Sequence, residues 1–144
     1  MKAFVLDASV AIKWVLPPDG EPLATEAGQL LESLAAGEIT FSVPDLFWSE
    51  VTNILWKAVR RHRISERSAY DALETLTALE LPTAATAPLI KEALRIALVF
   101  QRSAYDSMYL ALAVESGRPL ITADERLANA VGSELPIQWL GSRT

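Results

Sequence analysis

Cysteine is absent from the chain, which excludes disulfide frameworks, zinc–thiolate sites, iron–sulfur clusters and thiol nucleophiles together. Histidine occurs once, as His62, so an acid–base mechanism built on paired imidazoles has no second partner. Any metal must be held by oxygen or by that one ring. Nor does any uncharged apolar run approach the roughly 20 residues that span a bilayer. The opening Met-Lys-Ala-Phe-Val-Leu meets Asp7 too soon for a signal-peptide core, and a cytoplasmic protein with no membrane attachment is the expectation. Repeats, linkers and low-complexity segments are missing as well. The 144 residues suit one core, and residues 1–144 are read as a single domain.

A surplus of positive charge is the last thing lacking. The formal charge is −5, which argues against nucleic acid, because phosphate attraction normally supplies much of that affinity. Its distribution, however, is uneven. Lys57, Arg60, Arg61, Arg63 and Arg67 crowd together with Trp56 and His62 among them. Such a run is either a rail for an RNA backbone, with a ring on which bases stack, or a solvated helix end whose cations suit the dipole. Arg102, Arg118 and Arg126 are weaker candidates for the same task.

Apolar patterning places the elements. Residues 3–6 read as a buried strand ending at Asp7, followed by a helix starting near Ser9 and stopped by Pro17-Pro18-Asp19-Gly20. A helix over 22–36 ends at Gly37, and Ile39–Val43 alternates as a strand. Asp45 is the expected N-cap of a helix to about Arg61, and Ser65 of another to about Leu79. An extended piece near Leu81-Pro82-Thr83 follows. A helix from Thr86 carries Ile90, Leu94, Ala97 and Leu98, and another runs from Tyr105 to Ser116. A strand over 119–122, a helix over 124–131 and a strand over 137–140 complete the chain. Strands alternating with helices predict an α/β fold, a three-layer α/β/α sandwich around a mainly parallel sheet of about four or five strands.

Against this pattern, four acids stand out. Glu50 lies three or four residues from Leu46, Phe47 and Ile54 on an apolar stripe, and Asp106 shares a face with Tyr109, Leu110 and Ala113. A carboxylate so placed costs several kcal/mol, on the order of a buried ion, unless compensated. Asp7 and Asp124 fall at or just beyond strand ends, where open parallel sheets carry their crevice. Capping is an alternative for Asp7, Asp106 and Asp124. For Asp7 it competes with Ser9 as cap, and for Asp124 with a Thr122–Glu125 capping box. Glu50, in mid-helix, has no such explanation. Four carboxylates sharing one crevice repel, and a hard cation, Mg²⁺ or Mn²⁺, resolves the conflict. A dehalogenase-type site would want a second acid where Ser9 stands. A phospho-receiver would want paired acids after the first strand.

These residues carry a family resemblance. Leu6-Asp7-Ala8-Ser9, the run from Glu50 to Lys57, the run from Ala104 to Ala113, and Thr122-Ala123-Asp124 appear in the order seen in the PIN-domain nucleases. More narrowly, the chain resembles the VapC toxins of toxin–antitoxin pairs. The resemblance implies a PIN-like fold and an endoribonuclease dependent on Mg²⁺ or Mn²⁺, with one or two ions per site. Such an enzyme hydrolyses RNA with metal-activated water and leaves a 5′-phosphate and a 3′-hydroxyl. Asp7, Glu50, Asp106 and Asp124 match the acidic, metal-binding positions. Ser9 and Thr122 match hydroxyl positions that orient them, and Asn53, one turn after Glu50, would hold that carboxylate or touch substrate. RNA contacts would fall to Lys57, Arg60, Arg61 and Arg63. The implied partners are an RNA substrate, a small VapB-type antitoxin and a second copy of the chain in a homodimer; Trp14, Phe47, Trp48 and Trp56 would supply either core or groove. A PIN-like binding module that no longer cuts, and a housekeeping RNA-processing nuclease, are the alternatives.

Overall fold

Residues 1–143 are described by a computed structural model. Its five strands are β1 (Lys2–Leu6), β2 (Ile39–Pro44), β3 (Thr83–Ala84), β4 (Leu120–Thr122) and β5 (Ile137–Trp139). All pair in parallel, in the order β3-β2-β1-β4-β5. Around them lie α1 (Ala8–Ala11), α2 (Ala24–Ala35), α3 (Leu46–Arg60), α4 (Glu66–Thr77), α5 (Ile90–Phe100), α6 (Ala104–Ser116) and α7 (Glu125–Val131). Three-residue 3₁₀ turns extend α1 through Trp14 and lead into α5.

The sheet is covered on both faces, and β2 shows it. Its sequence alternates, yet every position from Phe41 to Pro44 is buried, as expected where helices pack on either side of a parallel sheet. At the centre runs α6, where Ser107 and Tyr109–Ala113 are all buried. A helix apolar on every side belongs inside. Gly117 ends it with φ of 68°, the left-handed backbone that suits glycine.

Several expectations need correction. Asp45 makes no capping bond; its Oδ2 instead accepts the Thr86 N–H at 3.2 Å, tying the start of α3 to the loop after β3. Asp7, and not Ser9, caps α1. On α5 the buried residues are Ala93 and Ile96, with Leu89 just before, while Ile90, Leu94 and Leu98 face outward. Both rows have helical spacing, so periodicity alone could not say which one the core would take.

The loop at 17–22 is tied down by charge. Glu21, nearly buried, accepts Lys13 Nζ at 3.0 Å and Arg63 Nη2 at 2.7 Å, which joins the turn after α1 to the turn after α3. Burial pushes the Glu21 carboxyl up, but the two cations outweigh it and hold it below its ordinary value of 4.5. A depressed folded-state pKa means stability that is full above the unfolded pKa and lost as pH falls through the folded one. Glu21→Gln should therefore cost roughly 1–3 kcal/mol near neutral pH, between exposed and buried pairs. Thermal melts of variant and wild type should converge well below pH 4.5; a constant gap would contradict the ion-pair account.

Candidate metal centre at the β1–β4 switch point

Sheet order places the site. From β1 the chain steps outward through β2 and β3, then returns to the other side of β1 as β4, so neighbouring β1 and β4 send their connections opposite ways. A crevice opens at the carboxyl ends of such a strand pair. The ladder holds to its edge, where Asp7 N–H donates to Ile121 O at 3.1 Å, and Asp7 and Thr122 meet across it.

A directed chain of hydroxyls joins them. Buried Thr122 donates its Oγ1 proton to Asp7 Oδ2 at 2.7 Å and accepts the Asp124 N–H at 3.0 Å. Ser9 Oγ accepts the Ala123 N–H at 3.1 Å and lies 3.5 Å from Thr122 Oγ1. With the Thr122 proton already given to Asp7, Ser9 is the donor in that last contact. Neither hydroxyl caps a helix: Asp7 Oδ1 accepts the Ser9 N–H at 3.4 Å, and Asp124 Oδ1 caps α7 through the Leu127 N–H at 3.1 Å. The expected Thr122–Glu125 capping box does not form.

The other two acids arrive on helices. Glu50 sits on α3 at the margin of its buried stripe, Phe47, Val51, Leu55 and Ala58. Asp106 lies in the first turn of α6, where Ser103 is the cap, accepting the Asp106 N–H at 3.0 Å. Three of the four are shifted upward. Burial raises Asp7, opposed by Thr122 and Ser9, with Asp106 adding to the rise. Burial also raises Glu50, opposed by the Tyr109 hydroxyl and reinforced by Asp7 and Asp106. Asp106 is raised by burial and by the Asp124 charge, against Ser103 and Arg102. The acids thus share one electrostatic neighbourhood.

They do not, as they stand, form a ready cage. Among the described residues no group of three His, Cys, Asp or Glu side chains is placed to clasp one ion. Both Asp7 oxygens and one of Asp124 already accept hydrogen bonds. The donor set nevertheless fits a hard divalent cation. It is all oxygen, and Glu50 Oε1 is buried without a hydrogen-bond partner, a deficit that a cation would relieve.

Of the remaining expected residues, Asn53 is exposed and forms no side-chain hydrogen bond among the described residues, so it does not hold Glu50. Lys57, Arg60 and Arg61 are exposed and line a hollow of about 230 Å³ at the end of α3, with Arg60 over the Trp56 ring at 4.8 Å. Arg63 departs from them, being committed to Glu21. Phe47 is core, and Trp14 packs on the core beside Phe41 with its Nε1–H donated to Ala27 O. Trp48 is partly buried and bonds Thr83 Oγ1, while Trp56 stays exposed. Sequence reasoning missed Tyr109 as a site residue, taking it only as a marker of register; its spacing of three from Asp106 was the available signal. Arg102, a weaker candidate for RNA contact in the sequence, lies near enough to Asp106 to oppose the rise of its pKa.

Comparison with known proteins gives concordant likenesses. A family model described as PIN domain matches residues 4–132. A curated relative, Ribonuclease VapC3 of Pyrobaculum aerophilum, is 32% identical over 126 residues, covering 86% of this chain and 91% of the relative. Among solved structures, PAE2754 from Pyrobaculum aerophilum superposes with a TM-score of 0.70 at 23% identity, covering 98% of this chain and 85% of that one. A toxin–antitoxin complex from Klebsiella pneumoniae gives 0.62 at 18% identity, covering 94% and 95%. At such identities the structural likeness speaks for the fold.

The raised carboxyls carry a sign. A folded-state pKa above the unfolded value means that the folded chain keeps protons the unfolded chain releases, so stability falls as pH climbs from the ordinary values of 3.8 and 4.5 through the raised ones. In EDTA, Glu50→Gln should flatten part of that decline and melt above wild type at pH 7. Melting curves from pH 4 to 8 that show the same slope for both proteins would refute the shared-field description.

Proposed function

The chain belongs to the PIN-domain family, and we infer from that membership and from the site that it is a metal-dependent endoribonuclease, the toxin of a toxin–antitoxin pair. The carrying observation is Glu50: a buried, unpartnered carboxylate oxygen facing the Asp7 and Asp106 charges. PIN-domain nucleases generally use divalent ions, and all-oxygen donors favour Mg²⁺ or Mn²⁺. Asp7, Glu50, Asp106 and Asp124 would hold the ion or ions. Bound there, an ion supplies Lewis acidity and charge neutralisation to phosphodiester hydrolysis. Thr122 and Ser9 hold Asp7 in place, and the partial burial of Asp7, Glu50 and Asp106 limits the water around those three carboxylates. Intact acids speak against a binding module that has lost catalysis. The name Ribonuclease VapC3 on a relative matched over 86% of this chain favours the toxin over a housekeeping nuclease.

Three surfaces serve the proposed partners. RNA would be drawn along α3 by Lys57, Arg60 and Arg61, whose cations bind phosphate while Trp56 offers a face for a base. An antitoxin segment would use the groove of about 330 Å³ between α3 and α4, where Leu55, Trp56, Val59, Ala69, Tyr70 and Leu73 form an apolar lining. A second copy of the chain would cover α5, whose Ile90, Leu94 and Leu98 are 59%, 60% and 72% exposed in one row, an apolar patch that a two-fold partner of like surface buries.

Two outcomes follow. Purified protein should cut RNA only with Mg²⁺ or Mn²⁺, and Asp106→Asn should lower the rate by at least about 100-fold; sequencing the ends from treated total RNA reads both the rate and the 5′-phosphate. Undiminished cutting by that variant would end the assignment. Leu94→Glu with Leu98→Glu should convert a dimer into a folded monomer in sedimentation velocity, and an unchanged sedimentation coefficient would remove α5 from the interface.

A further inference from the structure

Tyr109 is one of the largest enclosed side chains among the described residues, at 2% exposure, and the polar end of its ring reaches the acidic crevice. A buried phenol normally finds partners for its hydroxyl. Here the oxygen accepts the Ala8 N–H at 3.4 Å, immediately after Asp7 in the chain. With a lone pair committed to Ala8, the hydroxyl proton is left to donate. The group within its range is the Glu50 carboxylate on α3, whose Oε1 has no hydrogen-bond partner. Tyr109 itself stands on α6, one turn beyond Asp106.

Tyr109 therefore links three acid-bearing segments: it stands on the helix of Asp106, its hydroxyl accepts from Ala8 beside Asp7, and the Glu50 carboxylate of α3 lies within its electrostatic reach. We propose that Tyr109 is a positioning residue that turns the Glu50 carboxylate toward the cation site, setting the distance between the α3 acid and the acids of β1 and α6. The ring anchors the hydroxyl by packing in the core, so the orientation of Glu50 is inherited from a rigid element and not from the flexible Glu side chain. Burial drives the phenol's own pKa far upward, so it stays a neutral donor throughout.

This rests on the nuclease reading, and the test separates the two. Tyr109→Phe keeps the ring and deletes the hydroxyl. Mn²⁺ binding, followed by electron paramagnetic resonance without RNA, should weaken about 10- to 100-fold, the usual cost of losing a partner that orients a ligand. Turnover on RNA should fall with kcat, while KM changes less than about twofold. In a Glu50→Gln background the same substitution should change Mn²⁺ affinity little, because its effect runs through that carboxylate. Should Tyr109→Phe melt below the assay temperature, Glu50→Gln with Tyr109→Phe decides: recovery of the fold supports the pairing, and continued unfolding overturns it. Wild-type Mn²⁺ affinity and kcat in Tyr109→Phe, or an undiminished loss in the Glu50→Gln background, also overturn it. If wild type neither binds Mn²⁺ nor cuts RNA, the nuclease reading itself has failed.

Discussion

Burial of carboxylates near one another at the end of a parallel sheet is the constraint around which this site is arranged. Burial alone raises Asp7, Glu50 and Asp106, and each also feels another acid of the group. Left to solvent, such charges would separate. The fold denies them that freedom by attaching each to a different rigid element: the end of β1, the middle of α3, the first turn of α6 and the cap of α7. What the core contributes through apolar burial is thus partly spent on holding like charges in one crevice.

Hydrogen bonds make the arrangement tolerable without cancelling it. Asp7 takes a backbone N–H and the Thr122 hydroxyl, and Asp124 takes a helix terminus. These are roles any soluble protein gives to acids near strand ends, which is why capping and ligation compete as explanations in the sequence. In three dimensions they are successive uses of one side chain. A carboxylate has two oxygens and about four lone-pair directions, so an acid that caps a helix keeps acceptor capacity for an ion. Glu50 differs because its buried Oε1 accepts nothing.

Element order, strand direction and three-layer architecture were legible because buried strands and helix breaks leave strong local signals. So were Glu50 and Asp106, as charges on apolar faces. What stayed hidden depended on contacts distant in sequence. Thr122 reaches Asp7 across 115 residues, and no local spacing announces that a hydroxyl will prefer this carboxylate to the helix it precedes. Asp45 likewise serves the loop after β3 rather than its own helix. On α5, two interleaved apolar rows were equally helical, and the choice between them was made by α6, the helix against which α5 packs. Arg63 looked like one more cation in a basic run until Glu21, from 42 residues away, claimed it.

That claim also bears on how an acidic protein would handle RNA. Lys13 and Arg63 share Glu21, and Arg95 pairs with Glu92, whereas Lys57, Arg60 and Arg61 form an exposed cluster. Lys57 follows Glu50 by seven residues, about 10 Å along a helix, beyond the roughly 8 Å screening length at physiological salt. The rail and the acidic crevice are therefore electrostatically separable in solvent: cations on α3 can attract a backbone while the carboxylates repel it. Under the proposed nuclease reading, an ion that neutralised the crevice would remove that repulsion and let a strand attracted to α3 continue toward the acids.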